Sequence, residues 1–129
     1  MDIVVIKSVQ KAFINHTLSF PEGIGKLITA GVQWQYVDFI QMLTTSYSAD
    51  NNYFVSEIAF NEKVFVADTF NAEAIKQAIK LSQEQNLPFF DFYKTSVNAG
   101  CIGYHIFIAG KKVVYYGRKG ESHTEFFPQ

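Results

Sequence analysis

The stretch Leu18-Ser19-Phe20-Pro21-Glu22-Gly23-Ile24, running on through Ile28 to Ala30-Gly31-Val32, decides the fold because the chain writes it twice. It returns as Leu87, Phe89, Tyr93, Val97 and Ala99-Gly100-Cys101, at an offset of 69. Beyond that point the matches run at an offset of 68, with Tyr36 on Tyr104, Phe39 on Phe107, Ile40 on Ile108, Tyr47 on Tyr115 and Glu57 on Glu125. A duplication of this kind predicts two copies of one unit that share a core, because one copy alone buries too little apolar surface. Repeat 1 covers about residues 2–68 and repeat 2 about 71–127, joined near 69–71 within a single domain of 129 residues.

Outward from that stretch, each unit reads helix-helix-strand-strand-strand. Asp2 caps a helix from Ile3 to about Asn15, with Ile6, Val9 and Phe13 on one face. Pro21 opens a second helix and Gly31 ends it. Strands are expected at 33–43, 44–48 and 53–60, with a turn at 49–52 and a short fourth strand at 64–66. In the second unit, Asn71 caps a helix from Ala72 to about Gln85, and Pro88 opens one that ends at Gly100. Strands follow at 102–108, 112–116 and 121–127. The expected class is α+β, with antiparallel strands in one sheet or two, helices on one side, and an approximate internal two-fold axis.

Composition narrows the function classes. A chain with 48% apolar and 18% charged residues is globular. Its net charge of −1 offers no basic excess, so nucleic acid is not an expected partner. Thirteen Phe and seven Tyr suit both a core and an interface. The lone Cys101 has no internal disulfide partner and points to a reducing compartment. No run reaches the roughly 18 apolar residues of a membrane span. Met1-Asp2-Ile3 lacks the basic start of a signal peptide, so a cytoplasmic protein without a membrane partner is expected.

Several short motifs stand out together: Phe20-Pro21, Ala30-Gly31-Val32, Tyr36-x-Asp38, Ala99-Gly100-Cys101, Val113-Val114-Tyr115-Tyr116-Gly117-Arg118 and Ser122-His123-x-Glu125. Over nearly the whole chain they resemble a small bacterial family of unknown function, some of whose members are labelled phage envelope protein. The resemblance implies a bacterial or prophage source and an accessory role. It brings no catalytic residues.

The candidate site comes from strand pairing. Two-residue turns at Gly110-Lys111 and Arg118-Lys119 would pair Ile106 with Tyr115 and Tyr115 with Ser122. One face would then carry Tyr104, Ile106, Ile108, Val113, Tyr115 and Phe126, a core face. The other would carry His105, Phe107, Val114, Tyr116, Glu121, His123 and Glu125, and a slip of one residue would dissolve that grouping. At an offset of 68, both histidines replace valines, Val37 and Val55, so the site is expected in repeat 2.

Two chemistries fit this face. His105, His123 and Glu125 form a three-ligand metal set if side chains converge across the roughly 10 Å between alternate strands. Alternatively, His105 or His123 acts as general base, with Glu125 orienting it and Tyr116 donating a proton. An ordinary solvated sheet face reads the same way. Cys101, just past a helix C-terminus, reads as core. Asp38 reads as an inward carboxylate needing a hydrogen-bond partner. His16 complements a helix dipole and takes no site role. The basic turns at Gly110-Lys111-Lys112 and Gly117-Arg118-Lys119-Gly120 suit either an anion or plain hairpins. Gly23-x-Gly25-Lys26 lacks the spacing of a phosphate loop.

With no triad and no phosphate loop, the expected function is a non-catalytic binding module for a small molecule or a protein. It would use the mixed face of His105, Phe107, Tyr116, Glu121, His123 and Glu125, or a groove between the repeats, and no cofactor. The alternative is a small hydrolase or isomerase built on a His/Glu pair. A one-sided aromatic sheet also suits a homodimer.

Overall fold

Three helices begin where a short polar side chain takes a free backbone amide, and the one that follows Pro88 has no such cap. Asp2 accepts from Val5 N at 3.2 Å and Asn71 from Ala74 N at 3.0 Å. Ser19 accepts from Glu22 N at 3.3 Å and donates to Glu22 Oε1 at 2.7 Å, a reciprocal capping box. The computed structural model describes residues 1–85 and 87–128. Their order is α1 (Ile3–Ile14), α2 (Phe20–Thr29), β1 (Trp34–Asp38), β2 (Leu43–Tyr47), β3 (Tyr53–Glu57), α3 (Ala72–Glu84), α4 (Phe89–Asn98), β4 (Gly103–Phe107), β5 (Lys112–Tyr116) and β6 (Ser122–Phe126). This is an α+β fold in which a helix-helix-strand-strand-strand unit occurs twice.

The six strands form one antiparallel sheet in the order β3-β2-β1-β4-β5-β6. The repeats meet at β1 and β4, where Tyr36 lies opposite His105. Every repeated element keeps one spacing: α2 and α4 begin at 20 and 89, β1 and β4 at 34 and 103, β3 and β6 at 53 and 122. The structural offset is therefore 69 throughout, and the step to 68 expected from the sequence does not occur. His105 is the counterpart of Tyr36, not Val37, and His123 that of Phe54, not Val55. The identities at 68 join residues on opposite faces of the sheet.

Two further expectations change. The long strand 33–43 breaks at Phe39-Ile40-Gln41-Met42, with Met42 at φ +57°. Asp38 makes that turn: its Oδ1 accepts from Ile40 N at 2.8 Å and Gln41 N at 3.0 Å. Residues 64–66 form no strand. Their segment is held to α4 and the β5–β6 turn instead, through Val64 N to Tyr93 Oη at 2.7 Å, Ala67 N to Val97 O at 2.9 Å, and the Arg118 guanidinium to Val66 O at 2.8 Å.

One apolar layer sits between the helices and the sheet, with Ile6, Leu27, Phe39, Ile75, Tyr93 and Val97 wholly buried. Phe39 packs edge-on against Tyr93 and Tyr104, which ties the β1–β2 turn to α4. Among the described residues no helix is long and apolar enough to cross a membrane.

The repeated Ala-Gly closes α2 and α4 alike. Val32 N reaches Leu27 O and Gly31 N reaches Ile28 O, while Cys101 N reaches Ser96 O and Gly100 N reaches Val97 O. These paired bonds put Gly31 at φ +89° and Gly100 at φ +85°. Their surroundings differ. A Cβ at residue 31 would lie 3.7 Å from Met1, whereas one at residue 100 would run into the Thr69 backbone. Gly31→Ala should cost about 1 kcal/mol and Gly100→Ala about 3 kcal/mol or more, the excess being steric. Urea unfolding of the two variants checks this; equal losses would contradict it.

Candidate functional site

Hairpin loop length places the candidate residues. The β5–β6 loop closes with Gly117 N to Glu121 O at 2.9 Å and Gly120 N to Gly117 O at 3.1 Å, with Gly120 at φ +81°. Arg118-Lys119-Gly120 is thus a three-residue loop, not the two-residue turn expected, and Tyr115 pairs with His123 rather than Ser122. That one-residue step moves β6 to its other face. The β4–β5 loop is four residues, 108–111, so Ile106 pairs with Val113 rather than Tyr115. A shift of two leaves the faces of β5 unchanged.

The expected grouping therefore divides. His105, Phe107, Val114 and Tyr116 lie on the open face. His123 and Glu125 lie on the helix-covered face beside Tyr115 and Val113. Phe126 moves the other way and is 70% exposed. Glu121 stays in the loop, its Oε1 accepting from Lys119 N at 2.8 Å. His105 cannot join His123 and Glu125 in a metal set through the thickness of a sheet. Among the described residues no three His, Cys, Asp or Glu side chains cluster as a metal site requires. The basic turns are occupied in part: besides Val66 O, Arg118 packs on Phe65 and lies 3.7 Å from Asp68. Cys101 is wholly buried, with its thiol donating to Gly103 O at 3.3 Å, and burial pushes its pKa up to about 11.

The open face is an aromatic platform centred where the repeats meet. Trp34 stacks on Tyr47 with ring centres 4.6 Å apart. The His105 ring lies 4.7 Å from Tyr36 and 5.0 Å from Phe107, and its Nδ1 is hydrogen-bonded to Tyr116 Oη at 3.1 Å. Burial among these rings holds the His105 imidazole below the usual histidine pKa. Burial raises Tyr36 and Tyr116, with the Asp38 carboxylate adding to the effect at Tyr36.

The other face carries a cavity of about 450 Å³, enclosed by the sheet and residues from all four helices. Its floor is Gln35 and Thr44 from repeat 1 and Tyr104, Tyr115 and Glu125 from repeat 2. Phenylalanines 13, 20, 89, 92 and 127 supply most of its walls. Gln35 is anchored by its Nε2 donating to Ser46 Oγ at 2.9 Å. Glu125 is oriented by His123, whose Nε2–H donates to Oε2 at 2.9 Å. Burial pushes the Tyr104 and Tyr115 phenols far up, so both stay protonated donors.

His16 belongs to this cavity, contrary to the sequence reading. Thr17 N bonds to Ala12 O and His16 N to Phe13 O, closing α1 as Gly31 and Gly100 close α2 and α4. His16 occupies the glycine position at φ +62°, and its buried Nε2 has no hydrogen-bond partner among the described residues. The signal available in the sequence was a histidine where the two other helix ends carry glycine.

A model of the family described as protein of unknown function (DUF1398) matches residues 7–125. The chain belongs to this family. The DUF1398 match includes His16 and runs through both repeats to Glu125, so it holds the charged and imidazole groups of the cavity together with the two-fold junction. No curated protein matches the chain.

Two outcomes are expected. The folded state of His105 binds a proton less readily than the unfolded chain. Its contribution is fully present above the ordinary histidine pKa near 6.5 and is lost as pH falls toward the lower folded value. Thermal unfolding at pH 7.5 and 5.5 should show a smaller pH-dependent loss in His105→Phe than in the native protein; an unchanged loss would count against it. His16→Gly should raise stability by about 0.5–1 kcal/mol in urea, because glycine removes the left-handed penalty.

Proposed function

We propose that this protein is a non-catalytic binding module for a small molecule, held in the cavity between the helix pairs and the sheet. The observation that carries the reading is the 450 Å³ cavity lined by His16, whose buried Nε2 has no hydrogen-bond partner among the described residues. That volume falls within the roughly 300–1,000 Å³ of small-molecule sites, and apolar walls with a few convergent polar groups are their usual lining. A buried polar atom without a partner costs stability unless something supplies the bond. The strained His16 fits the same reading, since glycine would close α1 at lower cost.

A hydrolase or isomerase is the second reading. It rests on the His123–Glu125 hydrogen bond at 2.9 Å and on Glu125 lining the cavity. His105 and Tyr116 drop out of that mechanism because they occupy the opposite face.

The test uses N-phenyl-1-naphthylamine, a neutral apolar dye that brightens on leaving water. The native protein should bind it saturably at one site. Thr44→Phe and Val113→Phe, which project a ring from the cavity floor, should stay folded and weaken binding by about tenfold or more, the equivalent of about 1.4 kcal/mol. Absence of saturable binding by the native protein would sink the reading. Hydrolysis of p-nitrophenyl butyrate that His123→Ala abolishes would replace it with the enzyme.

A further inference from the structure

The charges around the cavity say what kind of molecule belongs there. Among the described residues that line it, Glu125 is the one carboxylate, and no lysine or arginine is present. His123 occupies Oε2 of Glu125, and the described residues give Oε1 no hydrogen bond. Two helix N-termini reach the cavity, at Phe20-Pro21 and at Phe89, and such ends ordinarily favour anions. Here each already holds a carboxylate in its first turn, Glu22 in α2 and Asp91 in α4. An anionic ligand would thus meet a carboxylate whose partner among the described residues is His123, and no lysine or arginine.

The walls point the same way. Aromatic rings present negative faces, and a cation beside them is stabilised, the more so when water is excluded. Phe20 lies edge-on to Phe127 at 5.4 Å and beside Phe13 at 6.4 Å, so a continuous ring surface borders the end of β6 that carries Glu125. A neutral apolar ligand would match these rings but offer no hydrogen bond to Glu125 Oε1, on a side chain 35% exposed and held at Oε2 by His123.

Resting on the reading of this cavity as a ligand site, we infer that its ligand is a protonated organic amine, with a largely apolar body and one ammonium group. The ammonium pairs with Glu125, and the body fills the space among the phenylalanines. His16 Nε2 meets one further hydrogen-bonding group on the body. The pairing is non-covalent, and no proton leaves the ammonium.

Calorimetry with 4-phenylbutylamine, 4-phenyl-1-butanol and 4-phenylbutyrate tests this, because the three share one apolar body and differ in charge. The amine should bind about tenfold tighter than the alcohol, as expected of a hydrogen bond to a charged group, and the carboxylate should bind weakest. Glu125→Gln should bring the amine to the level of the alcohol without weakening the alcohol, and Glu125→Asp should keep the preference. An alcohol or carboxylate that binds the native protein as tightly as the amine overturns the inference and leaves the cavity a ligand site. Failure of all three, with N-phenyl-1-naphthylamine still bound, does the same. Failure of all four probes overturns both readings.

Discussion

The antiparallel ladder between β1 and β4 is the constraint on which the rest of the molecule depends. It is the seam that turns two three-stranded meanders into one six-stranded sheet, with Trp34 opposite Phe107, Tyr36 opposite His105 and Asp38 opposite Gly103. Gly103 lets the strands close, since a Cβ there would run into Val37 O and crowd the Tyr36 ring. A three-stranded meander with two helices has too little apolar surface to stand alone; joined, each repeat completes the other's core. Phe39 of the first repeat lies against Tyr93 and Tyr104 of the second, so the shared core is built across the seam.

The same seam accounts for the cavity. A two-fold relation between antiparallel neighbours puts both helix pairs on one side of the sheet. Each pair packs mostly within itself and on its own strands, and the space above the seam is left to side chains that must bridge two bodies. The repeats have diverged there in complementary ways. At equivalent covered positions, repeat 1 carries Gln35, Thr44 and Ser46 where repeat 2 carries Tyr104, Val113 and Tyr115. Small and polar groups on one half leave room, and large aromatic groups on the other give that room a firm wall.

Much of the fold was legible because its determinants are local. Asp2, Ser19 and Asn71 mark helix starts through their own side-chain bonds, and Gly31 and Gly100 mark helix ends through a dihedral that other residues reach at a cost. The order of elements followed from these signals and from the repeat. The site was less legible because a strand face is set by loop length, to the single residue. Arg118-Lys119-Gly120 supports a two-residue or a three-residue loop equally well as a string of letters, and the difference moves His123 and Glu125 through the sheet. The offset of 68 misled for a related reason: tyrosines recur one residue apart on opposite faces, so matching letters did not mean matching places. Asp38 was legible as a carboxylate in need of partners, yet its partners proved to be the amides of its own turn. The cavity had no signature of its own, since it is made by side chains that stop short.

His16 shows how a local rule, once broken, can point to a site. Three helices here end in the same pair of backbone bonds, and two of them use glycine to do so. The third uses a residue that is strained in that geometry and whose buried ring nitrogen has no partner among the described residues. Strain of this kind persists only where the surroundings over-determine it. At the end of α1 this turn places His16 among the residues that line the cavity. The left-handed position thus trades stability for a fixed polar group on an otherwise aromatic wall, and Glu125 on the floor is fixed in the same sense by His123. Under the ligand reading proposed above, two lining groups that keep unused hydrogen-bonding capacity among the described residues, His16 and Glu125, are in place before binding, which lowers its ordering cost.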